Sequence, residues 1–183
     1  MFFDEYKSEL VEAINSLTNE NLKEYADAIL ECDKKGGTIY IVGNGGSAAT
    51  ASHFQCDLGK GSQVEGKKRI RTLSLTDNVS IMSAISNDIS YDYVFLYQLQ
   101  NLLTENDLVV GISASGNSEN VVKCFEYAKS IGAKTYGLIG FSGGKMLMLS
   151  DGYIHINSYN YGVVEDMHLI IGHLVSQYIK QVR

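Results

Sequence analysis

The stretch Thr38–Gly61, TIYIVGNGGSAATASHFQCDLGKG, decides how the chain folds. Its opening run, Thr38 to Val42, is short, apolar and β-branched, the composition of a buried strand. Gly43-Asn44-Gly45-Gly46-Ser47 breaks the run, and the residues beyond it follow a helical period. In a strand, glycine turn and helix of this kind, backbone N–H groups approach a ligand closely, and the first helical turn adds unpaired donors and partial positive charge. Such a turn binds anions, phosphate most commonly. Four residues separate His53 from Asp57, so an unbroken helix carries both on one face. An imidazole and a carboxylate beside an anion cradle suit acid-base chemistry or metal ligation; the spacing is equally that of an ordinary surface pair.

Before this stretch lie two helical stripes. Phe3, Tyr6, Leu10, Ala13 and Ile14 mark the first, and Leu22, Tyr25, Ala26, Ile29 and Leu30 the second, with Thr18 or Asn19 as N-cap and Gly36-Gly37 as the stop. Two helices exceed what a minimal α/β unit needs, so their apolar residues are expected to pack on the sheet or on another subunit. After it, strands are expected at Ile70–Thr76, Leu108–Ile112, Lys134–Gly140 and Gly152–Ile156. Helices are expected at Ser80–Ile85, Tyr91–Leu103, Val121–Ile131, from Ser142, and at Val164–Val182. The alternation predicts an α/β fold, a parallel sheet between helix layers that binds ligands at the carboxyl ends of its strands.

A second polar turn falls at such an end. Ser113-Ala114-Ser115-Gly116-Asn117-Ser118 offers three hydroxyls and a helix start, and serves phosphate alongside the glycine turn. In the last helix, Glu165 and His173 lie about 80° apart in projection, while His168 points about 140° away from His173. Glu165 and His173 can therefore share a site, with His168 elsewhere.

The chain of 183 residues has the length of one domain, and its 45% hydrophobic and 20% charged residues are ordinary for a globular protein. A net charge of −6 argues against a nucleic-acid partner, and the short basic cluster Lys67-Lys68-Arg69 with Arg71 reads as a solvated strand entry. No apolar run has membrane-spanning length, and MFFDEYKSEL lacks the basic start of a secretory signal, so a cytoplasmic protein is expected. Cys32, Cys56 and Cys124 are odd in number and far apart, which suits reduced thiols rather than a cysteine zinc site.

Together GNGGSAATASHF (Gly43–Phe54), SLTDNVSIMSAISND (Ser74–Asp88), GISASGNSENV (Gly111–Val121), GGKM (Gly143–Met146) and EDMHLIIGH (Glu165–His173) resemble the sugar isomerase (SIS) domain family, most closely its phosphoheptose isomerase branch. The resemblance implies a single SIS domain over residues 1–183: N-terminal helices over 1–36, then a three-layer αβα sandwich with a five-stranded parallel, flavodoxin-like sheet over 37–183. It implies a homotetramer with shared active sites, and interconversion of sedoheptulose 7-phosphate with an aldose 7-phosphate. Carried over by motif, Gly45, Gly46, Ser47 and the turn Ser113, Ala114, Ser115 and Ser118 would hold the phosphate, and Asn44 and Asp77 would bind sugar hydroxyls. His53, Asp57, Glu165 and His173 stand where that branch surrounds the reacting carbons and can bind zinc. Asp57 and Glu165 replace a glutamate and a glutamine there; Gly59-Lys60-Gly61 lacks the usual arginine, and Gly162 stands in place of an aspartate.

Moving a carbonyl between C1 and C2 requires a base, an acid and stabilisation of the enediolate oxygen. Asp57 is the candidate base and His173 the acid. The alternatives are a non-catalytic SIS module that binds a phosphosugar or a protein, an isomerase of another phosphosugar, and a nicotinamide dinucleotide enzyme. The last rests on Gly43, Gly45 and Ala48 in a G-x-G-x-x-A pattern but lacks the expected acid about 20 residues on.

Overall fold

The computed structural model describes residues 1–183. Five parallel strands, β1 (Ile39–Gly43), β2 (Thr72–Ser74), β3 (Leu108–Ser113), β4 (Lys134–Ile139) and β5 (Gly152–His155), form one sheet in the order β2-β1-β3-β4-β5. The helices are α1 (Phe2–Ser16), α2 (Asn19–Lys34), α3 (Gly46–Cys56), α4 (Val79–Asp88), α5 (Leu96–Leu99), α6 (Glu119–Ser130), α7 (Gly144–Leu149) and α8 (Tyr161–Val182). This is the expected flavodoxin-like order. Its direction reverses between β1 and β3, where open α/β sheets bind their ligands.

β1 and β3 are buried along their whole length, so neither shows polar alternation, as expected of a parallel sheet covered on both faces. Successive side chains feed two cores. Ile39, Ile41, Val110 and Ile112 pack with Tyr25 and Ile29 of α2, Phe54 of α3 and Met167 and Ile171 of α8. Tyr40, Val42, Val109 and Ile139 pack on the other face with Leu99 of α5, Phe125 of α6 and Met146 of α7. Helix α2 begins in a reciprocal cap: Thr18 accepts from the Asn21 amide at 3.2 Å, and Asn21 accepts from that of Thr18 at 3.1 Å.

Two segments differ from the sequence expectation. The strand expected over Ile70–Thr76 pairs only over Thr72–Ser74, because β2 is an edge with β1 as its sole neighbour. The long helix expected over Tyr91–Leu103 is a 3₁₀ turn at Tyr91–Tyr93 followed by α5. Its apolar positions Val94, Phe95, Leu99 and Leu103 are buried as periodicity demands. Polar bonds break the helix: Ser90 caps the turn through the Asp92 amide, and the Gln98 side chain donates to the Leu75 and Val94 carbonyls.

His168 lies in the core, apart from the other histidines, with neither ring nitrogen hydrogen-bonded. Burial pushes its pKa from 6.5 down to about 4, against a smaller opposing pull from the Ile139 backbone. Below the unfolded pKa the unfolded chain takes up a proton that the native state refuses, so stability falls as pH falls from 6.5 toward 4. The expected loss is about 2 kcal/mol between pH 7 and pH 5. Urea unfolding at both pH values checks it; His168→Leu should remove most of this slope, and an equally steep variant would contradict the assignment. No helix is long and apolar enough to cross a membrane.

Candidate active site

Three carboxyl-end turns build the site. After β1, Gly45 takes φ 56°, a left-handed conformation that glycine adopts without strain, and α3 starts at Gly46. The first amides of α3 therefore open toward the switch point, with Ser47 buried at the helix start. Gly43 lies in register with Ile112, so the serine turn after β3 is this turn's direct neighbour. There the Ser113 hydroxyl accepts from the Gly116 amide at 3.1 Å and lies 3.1 Å from the Ser118 hydroxyl. Ser118 occupies the N-cap of α6 but makes no side-chain cap bond, which leaves its hydroxyl and the α6 amides for a ligand. The third turn, after β4, supports the second: the Met146 amide donates to the Gly116 carbonyl at 3.0 Å, and Lys145 donates its amide to Asn117.

Asn44 and Asp77 stand at the rim. The Asn44 amide exchanges two 2.9 Å hydrogen bonds with the buried Asn120 and accepts a third, at 2.8 Å, from the Tyr91 hydroxyl. Its side chain thus fixes the glycine turn to α6. Asp77 follows β2 and accepts from Ser52 of α3, with Thr76 joining the same hydroxyl cluster.

Helix α3 passes at Asp57 into one wide π turn, Asp57–Gly61, with Ser62 donating to the Asp57 carbonyl at 2.8 Å. Asp57 itself keeps right-handed helical angles, so the i,i+4 relation with His53 survives. The packing of α8 beside α3 then adds His173. His53 Nε2 and His173 Nε2 are 2.9 Å apart, and Asp57 Oδ2 lies 3.4 Å from the first and 3.6 Å from the second. That carboxylate oxygen is buried with no hydrogen-bond partner. At 2.9 Å one imidazole donates its Nε2 proton and the other accepts, so the pair holds one movable proton.

The three donors also fit a metal ion. Their atoms lie within 4.8 Å of one another. Donors around a tetrahedral zinc stand about 3.3 Å apart for bonds of about 2.0 Å. The orphaned Asp57 oxygen supplies the charge such a site requires. Glu165, expected as a fourth ligand, falls outside this group. Its carboxylate lies over Gly46, where any Cβ would strike both of its oxygens. There it takes the positive end of α3 and must move aside for an anion bound in the turn.

Sequence reasoning thus found the two turns and the cluster of His53, Asp57 and His173. It missed the supporting residues Asn120, Tyr91 and Ser52, whose only signal was polarity near the turns.

Comparison with known proteins agrees with this geometry. A family model described as SIS domain matches residues 2–140. The phosphoheptose isomerase of Helicobacter pylori is 38% identical over 176 residues, covering 96% of this chain and 91% of the relative. That of Campylobacter jejuni is 40% identical over 155 residues, covering 85% and 83%. The solved phosphoheptose isomerase GmhA from Neisseria gonorrhoeae superposes with a TM-score of 0.89 at 30% identity, over 98% of this chain and 95% of that one. The RpiR transcription factor sugar isomerase domain from Sphaerobacter thermophilus shares the fold alone, at 21% identity and a TM-score of 0.66. The chain belongs to the SIS domain family, in its phosphoheptose isomerase branch.

Proposed function

We propose that this protein interconverts sedoheptulose 7-phosphate and D-glycero-D-manno-heptose 7-phosphate by proton transfer through an enediolate. The observation that carries the reading is the unpartnered Asp57 oxygen, held against two imidazoles beside two phosphate-type turns. His53 lies two turns along α3 from Gly46, about 10 Å of helix axis, a span suited to an open-chain sugar phosphate. In this assignment Gly45, Gly46, Ser47 and the Ser113, Ala114, Ser115 and Ser118 turn hold the phosphate, and Asn44 and Asp77 border the sugar chain.

Asp57 removes the proton from C1 of the ketose. As that C–H pair becomes the C1–C2 double bond, the C2 carbonyl oxygen receives a proton from His173. His53, hydrogen-bonded to His173 Nε2, holds that imidazole in place, and His173 regains its proton from O1 in the second half of the reaction. Collapse of the enediol with proton delivery to C2, and loss of the proton on O1, gives the aldose. The α3 amides stabilise negative charge at the turn. Zinc held by His53, Asp57 and His173 would engage the same Nε2 atoms and so replace the His173 proton, supplying Lewis-acid stabilisation of the developing oxyanion in its stead. Glu165 would join them only by leaving Gly46.

Two measurements test these assignments. Aldose formation should be fastest from the seven-carbon ketose phosphate in a panel running from five carbons upward; faster turnover of a shorter member would move the assignment to another phosphosugar. Zinc should raise the Tm of the protein, and His53→Ala should abolish that rise. An equal rise in the variant would contradict the metal set.

The reading includes one domain over residues 1–183, a cytoplasmic setting and a homotetramer. Phe2, Phe3, Val11 and Ile14 leave α1 with exposed apolar surface, and His53 of the reacting cluster is exposed as well. Both suit a neighbouring subunit closing the site.

A further inference from the structure

Helix α1 reaches the glycine-turn end of the site through the start of α8. Glu9 accepts from the Ser158 hydroxyl at 2.6 Å and from the Asn160 amide group at 3.3 Å, just before α8. One turn earlier on α1, Tyr6 lies on the first turn of α8: a Cβ at Gly162 would come within 2.8 Å of its hydroxyl and 3.1 Å of its ring. Its hydroxyl donates to Asp166 Oδ2 at 2.6 Å.

Gly162 occupies a particular sector of α8. At about 100° per residue it faces between Glu165, about 60° to one side, and Asp166, about 40° to the other. Glu165 covers Gly46 at the start of α3 and lies close enough to Tyr6 for its charge to act on the phenol, so Tyr6 stands beside the residue that lies over the glycine turn. We propose that Tyr6 is a specificity-determining residue of this site, its phenol oxygen accepting a hydrogen bond from a hydroxyl on the polyol chain of the sugar phosphate.

The geometry defines what the phenol can do. Its proton is committed to Asp166, which leaves an oxygen lone pair as an acceptor. The Asp166 hydrogen bond, then burial and the charges of Asp166, Glu9 and Glu165, push its pKa up to about 12, so it stays protonated at neutral pH. The phenol lone pair is complementary to a hydroxyl of a polyol. Glycine at 162 is what admits the ring to this place. A sugar phosphate then meets donors at its phosphate end and acceptors along its carbon chain.

The inference rests on the phosphosugar reading, and calorimetric binding separates the two. Sedoheptulose 7-phosphate and inorganic phosphate are titrated into the protein and into Tyr6→Phe. Loss of one neutral hydrogen bond predicts about three- to tenfold weaker binding of the sugar phosphate. Binding of inorganic phosphate should not change. Unchanged sugar affinity, or an equal loss for both ligands, overturns the role of Tyr6. Glu9→Ala loosens α1 while keeping the phenol; its Tm should fall with the ratio of the two affinities unchanged, and a ratio that moves as in Tyr6→Phe would make Tyr6 a structural residue only. Failure of the wild-type protein to bind the sugar phosphate would remove both proposals, whereas binding without turnover would remove the isomerase reading and leave the Tyr6 result decisive.

Discussion

Asp57→Ala is expected to lower kcat by about 10²- to 10⁴-fold, the usual contribution of a positioned general base. The loss should fall on kcat more than on KM, because the phosphate turns lie on other residues. Stability should not fall with it. Asp57 Oδ2 accepts no hydrogen bond, and its nearest polar neighbours are the two imidazole nitrogens at 3.4 and 3.6 Å, so its removal breaks no hydrogen-bond network. Unfolding by heat should therefore show a Tm close to that of the wild type, and Asp57→Asn should share the kinetic defect. A variant within threefold of wild-type kcat would remove Asp57 from the chemistry.

The second large effect is expected at Gly116. It adopts φ 64° in the serine turn, and a Cβ there would run into the Gly143 backbone and the Ile139 side chain. Gly116→Ala adds left-handed strain to a backbone collision, for a destabilisation of about 2–4 kcal/mol. It also drives apart the turns after β3 and β4, which the Met146 amide joins to the Gly116 carbonyl. Phosphate affinity should fall at least about tenfold, since Ser113 holds its hydroxyl against the Gly116 amide. Gly45→Ala is the contrasting variant. Gly45 has φ 56° with ψ −121° but open space around it, so only the backbone strain, about 1–3 kcal/mol, remains, with no collision added to it. Urea unfolding of both, with phosphate titration, checks the pair; equal destabilisation would refute the packing argument.

The central strand, glycine turn and helix were legible because hydrophobic periodicity changes sharply at Gly43 and the two central strands, β1 and β3, are compact buried runs. His168 was separable from His173 because angle around a helix is a local property. Glu165 shows the limit of the same reasoning. A helical projection places it on the His173 face, yet eight residues are also about 12 Å along the axis, and the projection discards that distance. Its carboxylate settled on Gly46 instead. The meeting of His53 with His173 follows from α3 lying alongside α8, and the pairing of Asn44 with Asn120 joins residues 76 positions apart. Local spacing encodes neither. The helix expected from Tyr91 failed for a related reason, since Gln98 bonds a carbonyl beyond β2 that no local pattern announces.

The most direct test of the isomerase reading is NMR of sedoheptulose 7-phosphate incubated with the protein in deuterated water, with and without added zinc. Deuterium is expected at C1 of the recovered ketose or C2 of the new aldose, appearing together with the aldose signal and lost in Asp57→Ala. A sugar phosphate that binds but shows neither exchange nor aldose would contradict the isomerase reading and make the protein a binding module.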